Sequence, residues 1–199
     1  LAPNQIEDSA KKEIDLKCHQ LEKNGYFLFV GQISIRKNII NLLKAFLLSG
    51  LHSDYKLVLA GMEGRGIEII KEAVLELGLN ERVELLNYIP DESLSSLYEK
   101  SAGFVFPTFY EGFGIPILEA MMNRTPVLTG NIGASPETAG GFAVEVSPFS
   151  VDEISEGLKN LLTIPNDKIE NAFNYASKFN WKNNAIETQK FYEETLNSL

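Results

Sequence analysis

Apolar residues along this chain fall into two rhythms. Short continuous runs are bounded by glycine, proline or polar turns: Tyr26 to Val30, Lys56 to Ala60, Arg82 to Leu86 and Phe104 to Phe106. Runs of that length, apolar without alternation, mark strands buried on both faces of a sheet. Thr125 to Thr129 and Phe142 to Val146 read as a fifth and a sixth strand. Between the runs, apolar residues recur at helical spacing over Ile39–Leu48, from Gly66 to Leu77, beyond Pro90, and from Pro116 to a stop before Pro126. The chain opens with a periodic segment, Ile6–Lys23, and closes with three more: Ser150–Leu162, Asn166–Phe179 and Trp181–Leu196, with Trp181 expected to anchor the packing between them. Strands alternating with helices predict an α/β fold: a Rossmann-like parallel sheet of about six strands with helices on both faces.

The segment from Phe104 to Pro126 carries the densest chemistry. Pro107 cannot donate to a sheet ladder, so the chain leaves the sheet there. A loop follows with Glu111, Gly112, Phe113 and Gly114, then Ile115 and Pro116 at a helix start, where proline is tolerated. A strand, a glycine-containing loop and a helix start together offer unpaired N–H groups and the positive end of a helix dipole to an anion. Glu111 precedes this helix, and Glu119 is expected about two turns into it. Carboxylates repel phosphate but accept hydrogen bonds from hydroxyls, as sugars and riboses present them. The combination points to a nucleotide-sugar pocket.

A second anion trap follows the first strand, Gly31-Gln32-Ile33-Ser34-Ile35-Arg36-Lys37-Asn38. Arginine grips two phosphate oxygens and lysine adds a compact charge, with Asn38 expected as the cap of the next helix. The competing view makes Arg36 and Lys37 ordinary solvated cations. Gly61-Met62-Glu63-Gly64-Arg65-Gly66 is not G-x-G-x-x-G, so a dinucleotide fingerprint is absent. After the third strand, Asn87-Tyr88-Ile89-Pro90 turns into a helix with Asp91, Glu92 or Ser93 as cap; Tyr88 suits either base stacking or core packing.

Composition narrows the classes. The 199 residues and 44% hydrophobic content suit one α/β domain. A net charge of −9 argues against a nucleic-acid surface and against unaided docking on an anionic membrane. One cysteine, Cys18, excludes an intrachain disulfide; beside His19 on a helix it points away from it, which argues against a metal pair. No apolar run approaches the span of a bilayer. No signal-peptide pattern opens the chain, and its start at Leu1 reads as a cut inside a longer protein.

The run Glu111 to Ala120, E-G-F-G-I-P-I-L-E-A, resembles the E-x7-E signature of family 4 retaining glycosyltransferases of the GT-B fold, built from two Rossmann-like domains. The likeness runs from Tyr26 to nearly the end, in the order of the motifs, and implies that this chain is the carboxy-terminal, donor-binding half. "R-K-N" (Arg36 to Asn38) and "P-E-x-x-G" (from Pro136) match a subgroup leaning toward GDP-mannose-like donors in surface-polysaccharide assembly. The resemblance implies a linker segment over 1–24, a donor domain over 25–180 and a terminal helix over 181–199 that crosses to the other domain.

It also implies roles. Gly31, Gln32, Arg36 and Lys37 would contact the donor diphosphate, with Gln32 standing where many relatives carry arginine. Phe113, Gly114 and Ile115 would add amides, Tyr88 and Ile89 would line the base, Glu111 would orient the sugar or attack it, and Glu119 would hold the ribose. No D-x-D occurs, so no metal or other cofactor is expected, and cations and amides take its place. The partners implied are a nucleoside-diphosphate sugar, a glycan or lipid-linked acceptor and the missing amino-terminal domain, in the cytoplasm or at the inner membrane face; the fragment alone is expected to be inactive. A glycosidase pair suits the two carboxylates less well, since hydrolysis needs them on opposed faces of a sugar. A GT-B epimerase or phosphorylase, and a non-catalytic binding module, remain as alternatives.

Overall fold

A computed structural model describes residues 21–87 and 89–197. Most of the amino-terminal segment Ile6–Lys23, with Cys18 and His19, lies outside the described residues, as does Tyr88; positions 21–23 form a bend and turn. The six strands are β1 (Tyr26–Val30), β2 (Lys56–Ala60), β3 (Val83–Leu86), β4 (Gly103–Phe106), β5 (Val127–Gly130) and β6 (Val144–Val146). All pair in parallel, in the order β3-β2-β1-β4-β5-β6. The expected fifth and sixth strands are shifted, because Pro126 precedes the ladder of β5 and Phe142 lies in the turn before β6.

Parallel neighbours require crossovers, and these are helical: α1 (Ile39–Leu48), α2 (Ile67–Glu76), α3 (Asp91–Lys100), α4 (Ile115–Met122) and α5 (Ser135–Ala139). Beyond β6 come α6 (Val151–Leu161), α7 (Asn166–Ala176) and α8 (Trp181–Asn197). Helix α1 packs against α2 and α6, and α4 against α3, α5 and α7, giving one helical layer on each face of the sheet. The large buried residues of α1, Ile39, Leu42, Leu43 and Phe46, follow the spacing of a single helical stripe, with the small Ala45 buried beside them. Helix α3 opens after Pro90 as its N-cap, one position ahead of the acidic and serine candidates, because proline ends the preceding extended turn.

The strands supply the centre of the core. Phe27, Leu28, Phe29, Leu57, Val58, Leu59, Phe104 and Val105 have no exposed surface; Phe104 stacks on Phe106 at 5.4 Å, and Phe29 meets the same ring tilted at 5.6 Å. Burying each large side chain stabilises the fold by about 2–3 kcal/mol. Helix α8 differs: it buries none of its residues, and Trp181 is 88% exposed. The expected anchoring role of Trp181 is therefore wrong for this chain; its ring faces an open groove instead of a helix pair. No helix among the described residues is long and apolar enough to cross a membrane.

Candidate active site

The strand order reverses between β1 and β4. From β1 the chain moves outward to β2 and β3, and from β4 to β5 and β6, leaving a crevice above the carboxyl ends of β1 and β4. The loops after β1 and β2 are laced together beyond the sheet: Ile33 donates to Met62 (2.9 Å), Gly64 to Ile33 (2.9 Å) and Ile35 to Arg65 (3.2 Å). Gly61 allows this approach. At φ 138° its missing Cβ would lie 2.1 Å from the Gly31 carbonyl oxygen, a backbone atom that cannot yield. Gln32, Ser34, Arg36 and Arg65 line the small recess that results, where the buried Ser34 hydroxyl has no partner among the described residues.

A short 3-10 turn, Ile35–Lys37, then throws Lys37 inward. Its Nζ lies 2.6 Å from Glu111 Oε1, 5.2 Å from the centre of the Phe106 ring, and both charged side chains are nearly buried, 10% and 11% exposed. Removing two charges from water is tolerable only when they face each other at this range. Arg36, on the exposed side, donates through a guanidinium nitrogen to the Tyr110 carbonyl (3.2 Å), one residue before Glu111. Asn38 does not cap α1 with its side chain. It adopts φ 62°, and its Nδ2 donates to the Pro107 (2.8 Å) and Pro148 (2.6 Å) carbonyls, bracing the loops after β4 and β6 against the loop after β1.

Gly114 is the N-cap of α4 at φ 94°, a conformation glycine adopts without strain. The N–H groups of Phe113, Gly114 and Ile115 make no hydrogen bond among the described residues, and the Phe113 carbonyl accepts from the Thr138 hydroxyl. The mouth of α4 thus presents free donors together with its dipole. Glu119 stands little more than one turn into the helix, nearer its mouth than the expected two, because α4 begins at Ile115. Its Oε2 accepts from the hydroxyl of Tyr98 on α3 (2.9 Å). Burial and the neighbouring Glu119 charge hold the Tyr98 phenol far above its ordinary value, so it remains a donor.

The structure brings Lys37, Glu111 and Arg36 together, although 74 positions separate Lys37 from Glu111. Glu119, Phe113 and Ile115 share a different wall, an open groove of about 1210 Å³ between α3, α4 and α8, whose lining does not include Lys37, Arg36 or Glu111. Gln32 and Arg36 border the recess beside Arg65. The side chain of Ile89 is core, 7% exposed, leaving only its backbone for any contact. Asn38 and Tyr98 were missed as parts of the site. An asparagine directly after two cations was a usable hint, since asparagine tolerates left-handed backbone. Tyr98, on an amphipathic helix, gave none.

Comparison with known proteins places the chain in a family. Residues 11–179 match the family model described as glycosyl transferases group 1. O-antigen chain mannosyltransferase B of Escherichia coli is 36% identical over 186 residues, covering 89% of this chain and 48% of that protein. O-antigen chain mannosyltransferase RfbU of Salmonella typhimurium is 31% identical, covering 81% of this chain and 45% of that protein. The solved structure of sucrose-phosphate synthase from Thermosynechococcus elongatus superposes with a TM-score of 0.77 at 22% identity, over 94% of this chain and 49% of that one, a likeness of fold. The chain thus spans about half the length of these two mannosyltransferases. It belongs to the group 1 glycosyl transferases of the GT-B fold.

Proposed function

We propose that this chain is the donor-binding half of a retaining, metal-independent glycosyltransferase. Residues 25–180 form the donor unit and 181–199 a terminal helix, and the donor is a GDP- or UDP-linked hexose, with a GDP-mannose-like donor favoured. The acceptor, a glycan or lipid-linked glycan, is held by the amino-terminal half, so this half alone transfers nothing, and the whole enzyme works in the cytoplasm or at the inner face of the membrane. The observation that carries the proposal is the Lys37–Glu111 pair at the switch point, with Glu111 two residues ahead of the free amides of Phe113 to Ile115. The mannosyltransferase relatives support the choice of sugar.

In this reading the bond from the anomeric carbon to the diphosphate oxygen breaks with its electron pair going to the phosphate. An acceptor hydroxyl oxygen takes the carbon, and its proton passes to the departing phosphate. Negative charge grows on the diphosphate, where Lys37, Arg36, the α4 dipole and the three amides disperse it. An ammonium has three donors; one meets Glu111 and two remain for phosphate oxygens. Glu111, tied to that cation, accepts from the sugar hydroxyls as an orienting group, and Glu119 holds the ribose. Gly31, Gln32 and the backbone at Tyr88 and Ile89 line the diphosphate and base.

The test uses the whole protein: calorimetry with GDP-mannose, UDP-glucose, GDP and UDP, and NMR of the product's anomeric configuration. Saturable, diphosphate-dependent binding that Lys37→Ala reduces roughly a hundredfold, with retained configuration, is expected. Binding unaffected by Lys37→Ala favours a non-catalytic module, and inverted configuration overturns the mechanism.

A further inference from the structure

Resting on the assignment of Glu119 to the ribose, we propose that Tyr98 is the positioning residue that aims the Glu119 carboxylate at the ribose hydroxyls. Glu119 is half-buried at the edge of the open groove, and its side chain could turn along the helix surface or away from it. The Tyr98 hydroxyl, 2.9 Å from Oε2, removes that freedom. The tyrosine itself is held on every side. It is 1% exposed, its ring meets Phe104 edge-on at 5.5 Å, and its carbonyl accepts from the hydroxyls of Ser101 (2.9 Å) and Thr125 (2.7 Å). A rigid donor on α3 thus fixes an acceptor on α4.

Fixing Oε2 leaves Oε1 without a partner among the described residues. A carboxylate held by one oxygen presents the other at a set angle, and Oε2 keeps a second lone pair, so two neighbouring hydroxyls can both donate to it. Pre-arranged acceptors bind more tightly because less side-chain freedom is lost when the ligand arrives. The phenol adds no charge of its own, since burial and the Glu119 charge keep it protonated. Tyr98 therefore tunes recognition of the sugar ring of the nucleoside, leaving the diphosphate to Lys37 and Arg36.

The experiment measures dissociation constants of the whole protein for GDP and UDP and for their 2′,3′-dideoxy counterparts, with thermal melting as the check on folding. Tyr98→Phe is expected to weaken the ribonucleotides about fivefold to tenfold while the dideoxy forms change less than about twofold, so their ratio narrows. Glu119→Asp, which keeps the charge but stops short of the Tyr98 hydroxyl, is expected to narrow it too, and serves if Tyr98→Phe does not fold. An unchanged ratio in a folded Tyr98→Phe, or in Glu119→Asp where Tyr98→Phe does not fold, or equal weakening of both nucleotide forms, overturns the positioning role. Glu119→Gln separates the two levels: if it leaves the ratio untouched, the ribose assignment itself fails and takes the inference with it. If it narrows the ratio while Tyr98→Phe and Glu119→Asp do not, only the role of Tyr98 is lost.

Discussion

Lys37 Nζ and Glu111 Oε1 lie 2.6 Å apart in a crevice where both side chains are about nine-tenths buried. Breaking such a pair from one side leaves a charge in poor solvent. Lys37→Met is therefore expected to cost about 3 kcal/mol of stability, lowering the melting temperature by roughly 6–12 °C. Lys37→Met with Glu111→Gln should recover most of that loss, because both charges are gone. Calorimetric melting of the two variants checks it; a double variant no more stable than the single one would show that the cost lies elsewhere.

Asn38 yields a prediction about backbone. Its φ of 62° suits glycine and asparagine, while its amide braces the Pro107 and Pro148 carbonyls. Asn38→Gly keeps the conformation and loses the brace, which should cost about 1–3 kcal/mol. The cost falls mainly at Pro107, since Asn41 still reaches the Pro148 carbonyl at 3.3 Å. Asn38→Ala loses both, and should be a further ~1 kcal/mol less stable than the glycine variant. Urea titrations rank the three proteins, and an alanine variant equal to glycine would refute the strain argument.

Much of this fold was legible because parallel strands buried on both faces spell themselves as apolar runs. Tyr26–Val30 and Lys56–Ala60 emerge with their boundaries unchanged. Boundaries blurred where a proline or a turn residue shared the hydrophobicity of the strand, as at Pro126 and Phe142. The site was legible only as separate parts. Nothing local connects Lys37 with Glu111; the reversal of strand order between β1 and β4 does. Trp181 misled because a large aromatic looks the same in sequence whether its partners lie in this chain or not.

Gly61 sets the closest approach of the loops that follow β1 and β2. Gly61→Ala would place a methyl group 2.1 Å from the Gly31 oxygen at a φ alanine avoids. Neither loop can retreat without breaking the ladder from Ile33 to Arg65. The substitution is expected to destabilise by more than about 3 kcal/mol or to abolish soluble expression. Gly50→Ala, where a Cβ meets nothing within 4 Å, is the control for positive φ alone and should cost only about 1 kcal/mol. Equal losses at the two positions would mean that conformation, not collision, governs both.

The Tyr98 phenol gives a pH dependence whose sign follows from its surroundings. Burial and the Glu119 charge raise it above its ordinary value of 10.0. Below that value the tyrosine is protonated in both folded and unfolded chains and contributes no pH dependence. Above it the unfolded chain releases the proton while the folded chain keeps it, so stability falls as pH rises, by up to about 1.4 kcal/mol per pH unit. Lysines titrate in the same range, so the informative quantity is the difference between the parent and Tyr98→Phe, which removes only this group. Urea midpoints between roughly pH 9 and 11 should fall more steeply for the parent, converging with the phenylalanine variant as pH rises. Parallel curves would mean that the phenol ionises as readily in the fold as in the unfolded chain and would refute the raised value.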